Sequence, residues 1–328
     1  MKYFIYTYGC QMNISDSEKI AAKLKRAGHQ PTKTAAGADL VVLNACSVRQ
    51  SAMHRVLNQL HKFRNKKIIL AGCVLPADKN KLTAQNIAFW HPDDYFSLTP
   101  LRQNKFSAFV PVMTGCNNFC SYCVVPFTRG QEKSRPATAI IKEIKTLLKN
   151  GAKEIILLGQ NVNSYRDKKT DFAQLLKKID NLPGNFRLNF ITSHPKDMSD
   201  KLIKTLAECK KLVKELHLPV QSGDNAILRR MNRGYNAKRY LDLLKKIRRA
   251  IPDIKISTDI IVGFPDETKK QFQNTLKLAQ AAKFNNAFIA KYSPRPGTAA
   301  AKFKDNVPAD EKKRRWRILD TLINGYEH

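Results

Sequence analysis

No apolar run in this chain approaches the length needed to span a bilayer, so a membrane-spanning helix is not expected. The N-terminus, MKYFIYTYGCQMN, lacks the long apolar stretch and cleavage site of a signal peptide, and a cytoplasmic protein is expected. Acidic residues are scarce: 27 Asp and Glu stand against 58 Lys and Arg, a net charge of +31. The excess is spread over all 328 residues, densest at 142–153, 238–249 and 312–317, rather than gathered in a tail. Such a charge attracts polyanions over long range and points to nucleic acid. No Ser–His–Asp arrangement, metal-hydrolase motif or phosphate-binding loop stands out, which leaves the common hydrolase chemistries without support. Wholesale disorder is excluded as well, because 43% of the residues are hydrophobic and can build a sizeable core.

The chain does have cysteine, seven in all. In a reducing compartment these serve metal or redox chemistry more readily than disulfides. Three of them, Cys116, Cys120 and Cys123, follow a probable strand with the spacing C-x3-C-x2-C, in MTGCNNFCSYCVVPFTRG. Three thiolates can hold three irons of a 4Fe–4S cluster and leave the fourth open to S-adenosylmethionine (SAM). Zinc is the competing reading, but it takes four N or S ligands and no fourth lies nearby in sequence. Three further cysteines each end an apolar run: KYFIYTYGC at Cys10, DLVVLNAC at Cys46 and KKIILAGC at Cys73. Helical stretches lie between the runs. The first is expected to begin near Ser15, where Ser15-x-x-Glu18 fits a capping box, and to stop near Gly28. The second is expected from about Val48 to Phe63. Alternating strands and helices predict a parallel sheet, whose strand ends share one edge, so three thiols should converge there and hold a second cluster. Cys209, in KTLAECKKL, has no partner motif and reads as a packing residue.

From residue 108 onward six strands alternate with helices: 108–114, 154–159, 187–192, 215–220, 255–262 and 286–292. The pattern predicts a partial (β/α)6 barrel, whose active site lies at the strands' C-terminal ends. Polar strings fall at those ends: LGQNVNSY (158–165), TSHP (192–195), LPVQSGD (218–224) and VGFPDET (262–268). Gly159, Gln160, Asn161, Ser193 and Gln221 from these strings are the candidate SAM-binding residues, since their groups can hydrogen-bond its amino-acid, ribose and adenine parts. His194 stands before Pro195 and reads as a loop-shaping residue.

Together TYGCQMN, NACSVR, AGC, GCNNFCSYCVVPFTRG, LLGQNVNSY, TSHP, LPVQSG, DIIVGFPDET and YSPRPGT resemble the radical SAM methylthiotransferases, over residues 2 to about 311. The resemblance implies an α/β fold with two parts: an N-terminal Rossmann-like domain over 1–98, with the auxiliary cluster, and a radical SAM partial TIM barrel over 99–328. It implies that Cys116, Cys120 and Cys123 hold the radical cluster, and that Cys10, Cys46 and Cys73 hold the auxiliary 4Fe–4S cluster. Two SAM molecules are implied per turnover, one for methyl transfer and one for the 5′-deoxyadenosyl radical. CQMN, VVPFTRG, QNVN and PRPG look most like the branch that modifies dimethylallyl (isopentenyl) adenosine beside the tRNA anticodon. Sister branches act on threonylcarbamoyl adenosine or on a ribosomal protein, and an inactive RNA-binding relic is a further alternative. The implied partners are the tRNA anticodon loop, an electron donor such as flavodoxin or ferredoxin and an unidentified sulfur donor, with the protein a monomer away from membranes. Members usually continue into a β-rich RNA-binding module, TRAM. Here the sequence stops at His328 after a basic helical stretch, 310–325, which leaves open a short member, a cut chain or another tRNA-binding surface. The string NIAFWHPDDYFSLTP reads as loop, with Trp90 a core or linker aromatic.

Overall fold

The structure, a computed structural model, describes residues 1–47, 50–82, 87–102 and 104–326. Its first layer is a five-stranded parallel sheet. In chain order the elements are β1 (Lys2–Thr7), α1 (Gln11–Arg26), β2 (Gln30–Pro31), β3 (Leu40–Cys46), α2 (Gln50–Lys62), β4 (Lys67–Cys73), α3 (Pro76–Lys81) and β5 (Ile87–Phe89). The strand order is β2-β1-β3-β4-β5, all parallel. The central strand β3, LVVLNAC, is buried along its whole length, as expected for a strand covered on both faces. Val41, Leu43 and Ala45 face α2, packing with Met53, Val56 and Leu60. Leu40 and Val42 face α1, packing with Ile20 and Leu24.

The structure corrects two expectations in this layer. The first helix starts at Gln11, not near Ser15, and Ser15 is buried inside it. Cys10 is the residue before its first turn, and the Asn13 side chain accepts a hydrogen bond from the Cys10 backbone N–H at 3.4 Å. Asparagine three residues into the helix thus does what the Ser15/Glu18 pair was expected to do. The segment read as loop contains β5, which pairs with β4 through Ile68↔Ile87. Three residues are too few to show strand periodicity in sequence. Trp90 packs with the α1-side core beneath the Lys23 ammonium, 4.1 Å from its ring centre. Val48, the expected start of the second helix, lies outside the described residues.

The second layer runs β6 (Ser107–Pro111), β7 (Met113–Thr114), α4 (Val125–Thr128), β8 (Lys133–Ser134), α5 (Ala137–Lys149), β9 (Glu154–Leu158), β10 (Arg166–Asp167), β11 (Thr170–Asp171), α6 (Phe172–Asp180) and β12 (Arg187–Ile191). It continues with α7 (Asp200–Glu208), β13 (Glu215–His217), α8 (Asn225–Arg230), α9 (Ala237–Ala250), β14 (Lys255–Val262), α10 (Lys269–Ala282), β15 (Asn286–Lys291) and α11 (Ala309–Asn324). β6, β9 and β12 form one parallel three-stranded sheet, and β13, β14 and β15 another. A bridge between Leu188 and Leu212 links the two. These six strands follow chain order, and among the described residues no pairing joins β6 to β15, so the arc is open. Helix α11 lies along β15. The Trp316 indole N–H donates to the Ile289 carbonyl at 3.0 Å, and Asn324 donates to the Ala287 carbonyl at 2.9 Å. The expected α/β fold with a partial barrel is present.

Candidate cluster and cofactor sites

The sheet order 2-1-3-4-5 reverses direction between β1 and β3, and the crevice outside the strand ends at that reversal is where such sheets bind ligands. Cys10 and Cys46 flank this point. Cys46 and Cys73 are register partners at the ends of β3 and β4, on adjacent strands about 4.8 Å apart. Cys10 sits beside them: a side chain on Gly9 would place its first carbon 2.7 Å from the Cys46 Cβ. Two asparagines fix the rim. Asn13 Nδ2 donates to Asn44 Oδ1 at 3.0 Å and to the Ala45 carbonyl at 2.9 Å, while Asn44 Nδ2 donates to the Asn13 carbonyl at 2.7 Å. The structure therefore brings Cys10, Cys46 and Cys73 to one edge.

The barrel supplies the other three thiols. Gly115 has φ of +77°, and any side chain on it would collide with the Gln131 carbonyl, so the turn into Cys116 admits glycine. The loop continues through Phe119, at φ +47°, and the Cys123 N–H donates to the Cys120 carbonyl at 2.9 Å. Arg233 reaches across from the end of α8 and donates to Cys120 Sγ at 3.3 Å. Burial pushes the Cys123 thiol up to about 12, with the neighbouring Cys120 and Cys116 adding to the rise. Burial also raises Cys73, and the Arg129 guanidinium beside it pulls in the opposite direction. Among the described residues no three His, Cys, Asp or Glu side chains close on one point, as a single metal ion would need. A cluster asks for something else, one thiolate for each of several irons.

The barrel rim carries buried polar atoms that lack partners among the described residues: Thr114 Oγ1, Gln160 Oε1, Asn161 Oδ1, His194 Nε2 and Gln221 Oε1. Thr114 ends the short β7, and the others follow the C-terminal ends of β9, β12 and β13 in turn. Buried polar groups are nearly always hydrogen-bonded, so this ring of vacant donors and acceptors fits a polar ligand of several functional groups, as SAM is. Gln221 and Thr192 have φ of +73° and +75°, backbone strain of the kind that collects at functional sites. Asn161 Nδ2 is held by Asp197 at 2.7 Å. Ser193 is already engaged, its hydroxyl donating to the His217 carbonyl. Gly159 has a packing role: a side chain there would come within 2.5 Å of the Met113 Cγ. His194 Nδ1 accepts from the Lys196 N–H at 3.2 Å, which shapes the TSHP turn. Burial first, then Arg233 and Lys196, pushes this imidazole down to about 2, so it is neutral and presents Nε2–H. Cys209 caps α7 and packs against the barrel core.

Sequence reasoning assigned no role to Arg129, Asp16 or Arg233. Arg129, in FTRG, leaves the barrel to reach the other sheet: its Nε donates to Cys73 Sγ at 2.9 Å and its Nη2 to Asp16 Oδ2 at 2.5 Å. An arginine lodged beside a cysteine-rich motif in a basic chain was the one available signal.

The Radical SAM superfamily matches residues 110–279, and Uncharacterized protein family UPF0004 matches residues 2–90. A tRNA-2-methylthio-N(6)-dimethylallyladenosine synthase of Clostridium botulinum is 41% identical over 98% of this chain and 81% of its own length. One from Syntrophomonas wolfei is also 41% identical, with the same coverage. The chain belongs to the radical SAM methylthiotransferases. It is therefore a transferase of a family that works with 4Fe–4S clusters and SAM. Solved structures share the fold. The radical SAM methyltransferase TsrM from Kitasatospora setae superposes with a TM-score of 0.65 at 11% identity, covering 92% of this chain and 74% of that one. The cobalamin-dependent radical enzyme OxsB gives 0.60 at 10% identity, covering 99% of this chain and 55% of the other, so this chain spans just over half of its length. Among the described residues no helix is long and apolar enough to cross a membrane.

Proposed function

We propose that this enzyme adds a methylthio group to carbon 2 of N6-dimethylallyl adenosine in the anticodon loop of tRNA. The observation that carries the reading is the pair of cysteine trios at two strand-end rims, tied by Arg129, in a chain 41% identical to synthases named for that product. Residues 1–98 form the auxiliary domain and 99–328 the radical domain. Cys116, Cys120 and Cys123 hold one 4Fe–4S cluster, and Cys10, Cys46 and Cys73 the other. Bound there, such clusters supply one-electron chemistry at SAM and a site for the sulfur to be transferred. The chain's own residues position and shield. Arg233 and Arg129 each place a guanidinium donor on a cluster cysteine, Cys120 and Cys73. Gln160, Asn161, His194 and Gln221 offer their unpaired atoms to SAM, with Gly159 and Ser193 shaping the wall. Cys46, Cys73 and Cys116 are buried, while Cys10 is exposed and Cys120 and Cys123 are half-buried, so each rim stays open to an incoming ligand.

The net charge of +31 supports a polyanionic substrate, and the anticodon loop is already single-stranded, so presenting its base avoids opening a duplex. A cytoplasmic monomer served by a flavodoxin or ferredoxin completes the reading. The test is nucleoside mass spectrometry of tRNA from a host lacking its own methylthiotransferase, with and without this gene. A methylthio mass on dimethylallyl adenosine is expected. The same mass on threonylcarbamoyl adenosine, or no new nucleoside, would overturn the assignment.

A further inference from the structure

A charged donor from the second layer reaches the sulfur of Cys73 in the first. The Arg129 Nε–H donates to Cys73 Sγ at 2.9 Å, and Nη2 of the same guanidinium donates to Asp16 Oδ2 at 2.5 Å. Cys10 Sγ, by contrast, meets the neutral Asn13 Oδ1 at 3.6 Å. The barrel's own cysteine loop holds the arginine in place. Its backbone N–H donates to the Val125 carbonyl at 2.9 Å, and the next residue, Gly130, accepts from the Cys116 N–H at 3.3 Å. The pair is dry: Arg129 Nη1 and Asp16 Oδ1 are buried with no partner among the described residues. One guanidinium thus serves two acceptors, a sulfur and a carboxylate.

We infer that Arg129 and Asp16 are positioning residues that set the reduction potential of the cluster held by Cys10, Cys46 and Cys73, an inference that rests on the cluster assignment proposed above. Cluster potentials follow net charge, hydrogen bonds to the ligating sulfurs and solvent exposure. Reduction adds one negative charge. A guanidinium on the sulfur therefore favours the reduced state, and a carboxylate beside it favours the oxidised state. Buried charges are screened far less than exposed ones, so both effects persist at ordinary salt. Asp16 moderates what Arg129 adds, and the potential rests on their balance. The electron comes from an external low-potential one-electron donor, and no bond forms or breaks at the pair. A pair that only joined the layers would change stability without moving the potential in opposite senses.

The experiment is an anaerobic redox titration of the cluster-reconstituted enzyme with dithionite, followed by electron paramagnetic resonance. The signal that SAM perturbs belongs to the barrel cluster, and the other is the auxiliary one. Asp16→Asn keeps an oxygen for Arg129 and removes the charge, so it should raise the auxiliary potential. Arg129→Gln removes the cation, so it should lower it. Each shift is expected to reach a tenfold change in the reduction equilibrium, about 59 mV for one electron, with the barrel cluster moving less. Shifts of the same sign in both variants, or no shift in Asp16→Asn, overturn the inference. Wild type carrying isotopically labelled arginine gives a reading that needs no variant. Its reduced auxiliary cluster should show a coupled arginine nitrogen, and absence of that coupling overturns the inference even if neither variant folds. Methylthio product in tRNA with unmoved potentials would sink the tuning while the function stands. Opposite shifts without any methylthio product would sink the function while the tuning stands.

Discussion

Arg129 follows α4 of the second layer and Asp16 lies on α1 of the first, and their side chains are 1% and 0% exposed. Each charge is tolerable in that position because of the other. Removing one partner of a buried pair leaves the survivor without compensation and typically costs about 3–5 kcal/mol, whereas replacing both with apolar residues is often close to neutral. Arg129→Met should therefore lower the unfolding free energy by roughly 3–5 kcal/mol in urea titration. The double variant Asp16→Leu/Arg129→Met should regain most of that loss. If the double variant is no more stable than the single one, the destabilisation has another source, such as the lost contact between Arg129 and Cys73.

At the scale of the element, the turns into the cysteines decide the sites. Gly72 has φ of +85°, and a side chain there would lie 2.5 Å from the Ala45 carbonyl and strike the Asn44 side chain. Gly72→Ala should thus destabilise the fold by more than the ~1 kcal/mol of an ordinary glycine substitution and displace Cys73. The expected readout is a reconstituted protein that loses about one 4Fe–4S cluster per chain by iron analysis and visible absorption. Retention of full iron content would show that the turn tolerates a methyl group. These turns also show what the sequence made legible. Strands ending in Gly-Cys, or in Ala-Cys for Cys46, could be read because strand cores are continuous apolar runs and the sheet rule sends their ends to one edge. The barrel strands and the polar strings after them were legible for the same reason. What escaped was set by distant partners. Asn13 caps α1 because it meets Asn44, 31 residues away, and Arg129 matters because it meets Asp16, 113 residues away. The short β5 exists because β4 offers it an edge. No local pattern announces such pairings.

For the whole molecule, charge governs the encounter with RNA. A surplus of 31 positive charges makes RNA binding a counterion-release process, so affinity should fall steeply with salt. For an anticodon stem-loop a loss of roughly tenfold or more is expected between about 50 and 200 mM salt, measured by anisotropy. A flat salt dependence would assign recognition to base contacts alone. The two sheets also share a network beyond Arg129: Arg102 pairs with Glu143 at 2.6 Å and lies 3.7 Å from Glu18 of α1. A hinge between the two layers would have to part Asp16 from Arg129 and open both charges to water. The pair thus fixes the register of the two layers while they are together, and hydration of the freed ions offsets much of its loss when they part.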